Sequence, residues 1–344
     1  MRKSKKLLVT IIFLIVFIIA NSILNFILVQ PGLTRVILHE LESNDDYKCI
    51  ILGTSHGSYG IDSNIVSKES GTKTMSLCIG GEYLQDSYYL LKQAFKTNNP
   101  ELIVLDADFQ YLMNVPQNSV SANLIYNSYP NSLDKVSYFS DKILRMEYRA
   151  ALFPWMDYRN NYSSVINIFK TKLGSDYNNY SAKSVNMEKK DLYYGNGFVY
   201  RTNTDNSKTD TMPKLIWNKS IIDKKSIEYL KKIIYLCNSK NTKIIMVTTP
   251  ISVETITHSI NEYDKAYTYL SDLAKANNID YYNFSLVKES VFPRTLDDYW
   301  DYDGHMYGDA AQRYSVVFGD FLKEVESGKV ETSNYLYDSV RNIQ

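Results

Sequence analysis

The chain has 344 residues, enough for one large domain or two small ones with a sizeable core. Lys plus Arg equals Asp plus Glu at 38 each, so the formal net charge is zero. That balance excludes the basic surplus with which a nucleic-acid binder neutralises phosphates. Three cysteines, Cys49, Cys78 and Cys237, sit in apolar runs without paired spacing, which argues against a disulfide framework or a zinc site. No motif calls for a metal or a cofactor.

The amino terminus carries the clearest signal. Met1-Arg2-Lys3-Ser4-Lys5-Lys6 is basic, and Leu7 to Val29 is almost wholly apolar, interrupted by Thr10, Asn21, Ser22 and Asn25. At 1.5 Å per residue, about 20 residues cross the hydrocarbon core of a bilayer. The basic flank is expected in the cytoplasm, which puts the rest of the chain outside. A cleaved signal peptide fits less well, because the apolar run resumes after Ala20-Asn21-Ser22. Residues 1–30 therefore read as a single-pass anchor in the cell membrane, and residues 31–46, opened by Pro31-Gly32, as a linker.

From Tyr47 onward strand and helix signals alternate. Cys49-Ile50-Ile51-Leu52 and Leu102-Ile103-Val104-Leu105 are continuous apolar runs of the kind buried parallel strands show. Lys73 to Cys78 is a weaker strand, followed by Gly80-Gly81 and a helical spacing from Tyr83 to Phe95. The rhythm returns with a helix marked by Ile227, Leu230, Ile234 and Cys237 and a strand from Ile244 to Val247. A helix from Tyr263 to Ala276, a strand from Ile279 to Phe284 and a closing helix from Ala310 to Val325 follow. This predicts an α/β fold, a three-layer and mostly parallel sheet of flavodoxin-like type, built from residues 47–109 and 223–330. Residues 110–222 break the pattern and read as one large insertion, either a cap over the active edge or a surface elaboration. Residues 331–344 read as a tail. The chain also holds 30 tyrosines. Many lie in the middle third among Asn and Ser, which suits sugar binding and equally suits compositional drift in an A/T-rich genome.

Two short segments bear chemistry. Gly53-Thr54-Ser55-His56-Gly57 directly follows the first strand, where a tight turn presents the Ser55 hydroxyl at the sheet edge. Trp300-Asp301-Tyr302-Asp303-Gly304-His305 precedes the last helix and offers a base with two nearby acids. The first segment matches Gly-x-Ser-x-Gly, the nucleophile elbow of α/β-hydrolases. Its position after the first strand, with an acid beside the histidine, does not suit that fold.

The arrangement instead resembles the SGNH (GDSL-like) hydrolase superfamily. Within it the chain looks like the membrane-anchored envelope acyltransferase branch, similar to the D-alanyl transfer protein of teichoic-acid D-alanylation and to alginate and peptidoglycan O-acetylation proteins. The resemblance rests on the anchor, on Gly53-Thr54-Ser55-His56, on Gly80-Gly81 with its helix, and on Asp303-Gly304-His305. It departs from the superfamily where Tyr302 stands three residues before His305, in place of the usual acid. It also departs at Leu105-Asp106-Ala107-Asp108, where the Gly-x-Asn-Asp block is missing. The resemblance implies Ser55 as nucleophile, His305 as base and Asp303 as the acid, with Asp301 the other acid in reach. Oxyanion donors would come from the backbone of Ser55 and of Gly80 or Gly81, and His56 would shape the turn or the substrate entrance. The implied activity is transfer of a D-alanyl or acetyl group to hydroxyls of a teichoic acid or another envelope glycan, with a multi-span acyl exporter as partner. An esterase acting on the same polymers and a non-catalytic anchored scaffold are the competing expectations. His39, in the linker, and His258, in a loop, read as solvated, and Asp106 and Asp108 read as site lining or surface.

Overall fold

The computed structural model describes residues 2–107, 109–113, 120–204, 208 and 211–343. The chain divides into two compact units, Met1–Leu38 with Gln117–Asn186, and His39–Pro116 with Met187–Gln344.

In the first unit, helix α1 (Arg2–Leu28) contains one segment, Ser4–Leu28, long and apolar enough to cross a membrane. Its side chains from Leu7 to Ile19 are exposed. Short helices follow in the later part of this unit, among them Leu133–Asp141, Tyr148–Leu152 and Val165–Leu173. The expected linker is largely helical. Helix α2 (Leu33–Ser43) buries Val36, Ile37, Leu38 and Leu41, whose spacing makes one apolar face.

The second unit is built on five strands. They are β1 (Cys49–Leu52), β2 (Thr74–Ser76), β3 (Leu102–Asp106), β6 (Lys243–Thr248) and β7 (Asp280–Asn283), while β4 (Asp191–Gly195) and β5 (Phe198–Arg201) form a separate antiparallel hairpin. The sheet runs β2-β1-β3-β6-β7, with every neighbouring pair parallel. Successive side chains of a strand point to opposite faces. Cys49, Ile51, Leu102, Val104, Ile245 and Val247 join the core cluster that includes Tyr314, Phe318 and Phe321 of the closing helix (Gly308–Ser327). Phe284, just after β7, meets Tyr314, Phe318 and Phe321 edge-on at 5.5, 5.4 and 5.0 Å between ring centres. Fully burying one such side chain contributes roughly 1.5–3 kcal/mol. On the other face Ile50, Leu52, Ile103, Leu105 and Met246 are sealed, and the helices Leu84–Thr97 and Lys224–Ser239 pack together and against the strands.

The expected block 110–222 is not one piece. Residues 117–186 go with the first unit, and 187–222 go with the sheet. The hairpin is anchored at the sheet's edge, where Ser76 N–H donates to the Asn196 carbonyl at 3.0 Å. Gly197, at φ +86°, approaches so closely that a Cβ there would lie 1.9 Å from the Ser76 carbonyl oxygen. The expected tail also packs back, since Leu336 bridges Val287 and Leu336, Val340 and Ile343 are buried.

Chain order places the strand-order reversal between β1 and β3. In open α/β sheets, crevices for ligands form beyond the carboxyl ends of the strands at such a reversal.

Candidate active site

Ser55 lies at that reversal. β1 ends at Leu52, and Ser55 is the first residue of a short helix, Ser55–Gly60. Two glycines let this turn sit against its neighbours. A Cβ on Gly53 would lie 2.8 Å from the Asp106 carbonyl oxygen, and one on Gly57 would lie 2.5 Å from Cys78 Sγ. The first backbone N–H groups of a helix have no partner within it, so the Ser55 amide is a donor at the mouth of the site.

His305 reaches Ser55 from the far end of the sequence, 250 residues away, with Nε2 2.7 Å from Ser55 Oγ. The loop that carries it is closed by an antiparallel bridge between Tyr299 and Met306 and by the Trp300 N–H donating to the His305 carbonyl at 3.1 Å. The acid at its other nitrogen is Asp301, not the expected Asp303. Asp301 Oδ2 lies 2.7 Å from His305 Nδ1, and Asp301 Oδ1 accepts the backbone N–H groups of Asp303, Gly304 and His305 at 3.1, 3.1 and 3.2 Å. Asp303 contributes its backbone carbonyl, which accepts from His56 Nε2 at 2.9 Å. The physical reason is the loop's curvature. One carboxylate at the start of the turn caps the amides that curl over it, and that cap fixes its second oxygen against the imidazole.

A carboxylate only accepts hydrogen bonds, so Nδ1 of His305 carries the proton and Nε2 is left to accept from the Ser55 hydroxyl. Burial pushes the Asp301 carboxyl up. The hydrogen bond from His305, its charge and its backbone N–H, with the His56 charge added, outweigh burial and hold the carboxyl below its ordinary value.

The imidazole is also held between two flat rings. His56 stacks on one side at 4.4 Å between ring centres and 8° between planes, and Trp300 stacks at 5.0 Å and 12°. The Arg201 guanidinium lies over Trp300 at 4.3 Å. Arg201 and Asp191 form a buried ion pair at 3.1 Å, and the Tyr59 hydroxyl donates to Asp191 at 3.1 Å while its ring meets Trp300 edge-on. The hairpin thus supports the histidine through Trp300. The hairpin has a sequence signal in Gly195-Asn196-Gly197, since such residues adopt the positive φ that tight hairpin turns need. The meeting of Arg201 with Trp300 has no local signal.

Gly80 and Gly81 form a turn beside Ser55, in which Glu82 N–H donates to the Ile79 carbonyl at 3.0 Å. A Cβ on Gly80 would touch Ser55 Cβ at 3.8 Å, and Gly81 has φ +77°. The turn is fixed from within by the buried Glu82 carboxyl, which accepts from the Ile79 N–H at 3.1 Å, from Tyr111 at 3.3 Å and from Ser87. Burial pushes Glu82 well above the usual carboxyl range.

Asp106 is buried and accepts from the Thr249 N–H at 3.1 Å, so it braces β3 against the β6 loop rather than facing water. Asp108 lies outside the described residues. His258 ends a short helix, Val253–His258, and His39 lies in α2 with Nε2 3.3 Å from Ser43 Oγ. Beside the catalytic-type cluster a small depression is lined by His56, Asp303, Thr249, Phe109, Tyr263 and Tyr267.

The chain matches no known family pattern and no curated protein. Among solved structures it is similar to a candidate acylhydrolase from Bacteroides fragilis. Identity is 9%, the TM-score is 0.39, and the match covers 85% of this chain and 94% of that one. It is also similar to a GDSL-like lipase from Bacteroides thetaiotaomicron, at 9% identity and a TM-score of 0.39, covering 87% of this chain and all of that one. Likeness this loose carries no inference about chemistry, which is left to the side chains.

Proposed function

We propose that the chain is a serine acyl-transfer enzyme, with Ser55 as nucleophile, His305 as general base and Asp301 as the acid that orients it. The observation that carries this is the continuous relay from Ser55 Oγ to His305 Nε2 and from His305 Nδ1 to Asp301, at 2.7 Å for each step. As Ser55 Oγ bonds to the acyl carbon, its proton passes to Nε2. The leaving alkoxide takes that proton as its C–O bond breaks, and acyl-Ser55 remains. An incoming hydroxyl then gives its proton to Nε2 as it bonds to the acyl carbon, the bond from that carbon to Ser55 Oγ breaks, and Oγ takes the proton back from Nε2. The oxyanion would be held by the Ser55 amide and an amide of the Gly80-Gly81 turn, each worth about 3 kcal/mol in the transition state.

The acceptor we propose is a hydroxyl of a cell-envelope polymer, a teichoic acid or another glycan, with a D-alanyl or acetyl group as cargo and a multi-span acyl exporter as partner. The apolar helix α1 with its basic flank supports this reading, with the amino terminus cytoplasmic and the site outside. One observation favours a second reading, a hydrolytic esterase: Ser55 is half-buried rather than sealed, so water competes for the acyl group.

The test uses the full chain in lipid nanodiscs with 4-nitrophenyl acetate, with and without a glycosyl or glycerol acceptor. Release of nitrophenol and labelling by a fluorophosphonate probe are expected for the native chain and absent for Ser55→Ala. Equal turnover by Ser55→Ala rejects the assignment. Acylated acceptor exceeding free acid supports transfer, and free acid alone supports the esterase.

A further inference from the structure

The polar residues that interrupt α1 have partners. Asn21 Oδ1 accepts from the Trp155 indole N–H at 2.9 Å, and Asn25 Oδ1 accepts from the Trp155 backbone N–H at 2.9 Å. Lys172 donates to the Asn25 carbonyl at 3.0 Å. Phe153 meets Phe17 edge-on at 5.7 Å, and Phe169 meets Phe26 edge-on at 5.9 Å. The segment from Phe153 to Lys172 therefore runs beside the outer half of α1. With a rise of 1.5 Å per residue counted from Leu7, Asn21 lies about 21 Å and Phe26 about 28 Å along a core roughly 30 Å thick.

The same segment leaves apolar side chains uncovered. In the helix Val165–Leu173, Ile166 is 68% and Leu173 61% exposed, with Phe169 between them on the same face, while Ile168 and Lys172 point inward. Leu152 is 51% exposed, and Leu144 and Tyr148 are exposed nearby. Between residues 120 and 186 the sequence carries eight basic and five acidic side chains. An apolar face, aromatic residues and a basic surplus, all continuous with the outer end of a membrane-spanning helix, are the features of a segment lying in the lipid interface.

We propose that residues 144–173 form a second membrane foothold in the outer leaflet, with Ile166, Phe169 and Leu173 near its headgroup–acyl boundary beside Phe26 and Leu152 deeper, toward the level of Phe17. This rests on the reading of α1 as a membrane anchor. Burying the Trp155 indole N–H there is tolerable because Asn21 accepts from it, and the two asparagines serve as docking points for the segment.

The test places a nitroxide on single engineered cysteines in the full chain, in vesicles of phosphatidylcholine and phosphatidylglycerol without any other protein. The native cysteines, all buried, are left in place. Labels go on Ile166→Cys and, as a second site, Leu152→Cys, with Ile12→Cys in α1 and Tyr235→Cys, exposed in the sheet unit, as references. Power saturation compares collisions with oxygen, which enriches in lipid, and with a nickel chelate confined to water. The expected result is at least a several-fold bias toward oxygen at 166 and 152 relative to 235, with 152 deeper than 166. Labels at 166 and 152 that behave like 235 while 12 stays shielded overturn the inference and leave this face to a protein partner. A label at 12 that also behaves like 235 overturns the anchor reading itself.

Discussion

Asp301 serves two masters at once: Oδ1 holds the amides of residues 303, 304 and 305, and Oδ2 lies 2.7 Å from His305 Nδ1. Asp301→Asn keeps the size but allows the amide N–H₂ to face Nδ1, which favours the wrong imidazole tautomer. Ester turnover is expected to fall on the order of 10³–10⁴-fold. Asp303→Asn keeps the backbone carbonyl that His56 uses and is expected to stay near the native rate. Steady-state kinetics on 4-nitrophenyl acetate compare the two, and a large loss in Asp303→Asn with a small one in Asp301→Asn would return the role to Asp303.

Stability follows the same carboxyl. Because Asp301 titrates below its ordinary value when folded, its contribution is complete above the ordinary carboxyl range, about pH 4, and disappears as pH falls through the depressed value. The difference in Tm between the native chain and Asp301→Asn is expected to be flat above that range and to shrink on acidification.

Much of this site was readable from order along the chain. Apolar runs with no alternation mark β1 and β3, and a serine after the first with a histidine before the last helix brings both to one sheet edge. The choice between Asp301 and Asp303 was not readable, because spacing in an irregular loop does not say which carboxyl the backbone curls around. The support from Arg201 to Trp300 was not readable either, since it joins residues 99 positions apart through tertiary packing alone. The α2 helix hid behind Pro31-Gly32, although Val36, Ile37 and Leu41 already show its face.

Arg201 and Asp191 are 9% and 6% exposed at their side chains. Removing one charge leaves the other buried, which typically costs about 3–5 kcal/mol. Arg201→Met is expected to lose stability of that order in urea unfolding, and Asp191→Asn added to it is expected to restore a substantial part. Turnover by Arg201→Met is expected to fall as Trp300 loosens from His305. No recovery in the double variant would mean the pair is not coupled.

Gly57→Ala tests the close approach behind Ser55. Its Cβ would press on Cys78 Sγ and Asp106 Oδ2, at 2.5 and 3.1 Å. Overpacking of this kind costs about 1–3 kcal/mol. A drop in urea midpoint is expected together with a disproportionate loss of turnover, because the shifted turn carries Ser55, the proposed nucleophile. Cys78→Ala in the same chain makes room and is expected to recover part of both.

Glu82 is raised by burial, so folding takes up a proton on it at pH values between its unfolded and folded values. Stability from this group therefore falls as pH rises across that window. Glu82→Gln removes the titration, and its Tm relative to the native chain is expected to rise as pH increases above the ordinary carboxyl range. A difference that does not change with pH would show that Glu82 is ionised in the folded protein.

The ring clamp on His305 has a kinetic consequence. An imidazole pressed between His56 and Trp300, with Asp301 gripping one nitrogen, has no room to turn over and present a different face. In the proposed reaction one nitrogen then serves the departing alcohol and the arriving one alike. The two cannot be there together, so the first must vacate before the second enters. Parallel lines in double-reciprocal plots of donor against acceptor would be the signature of such taking of turns.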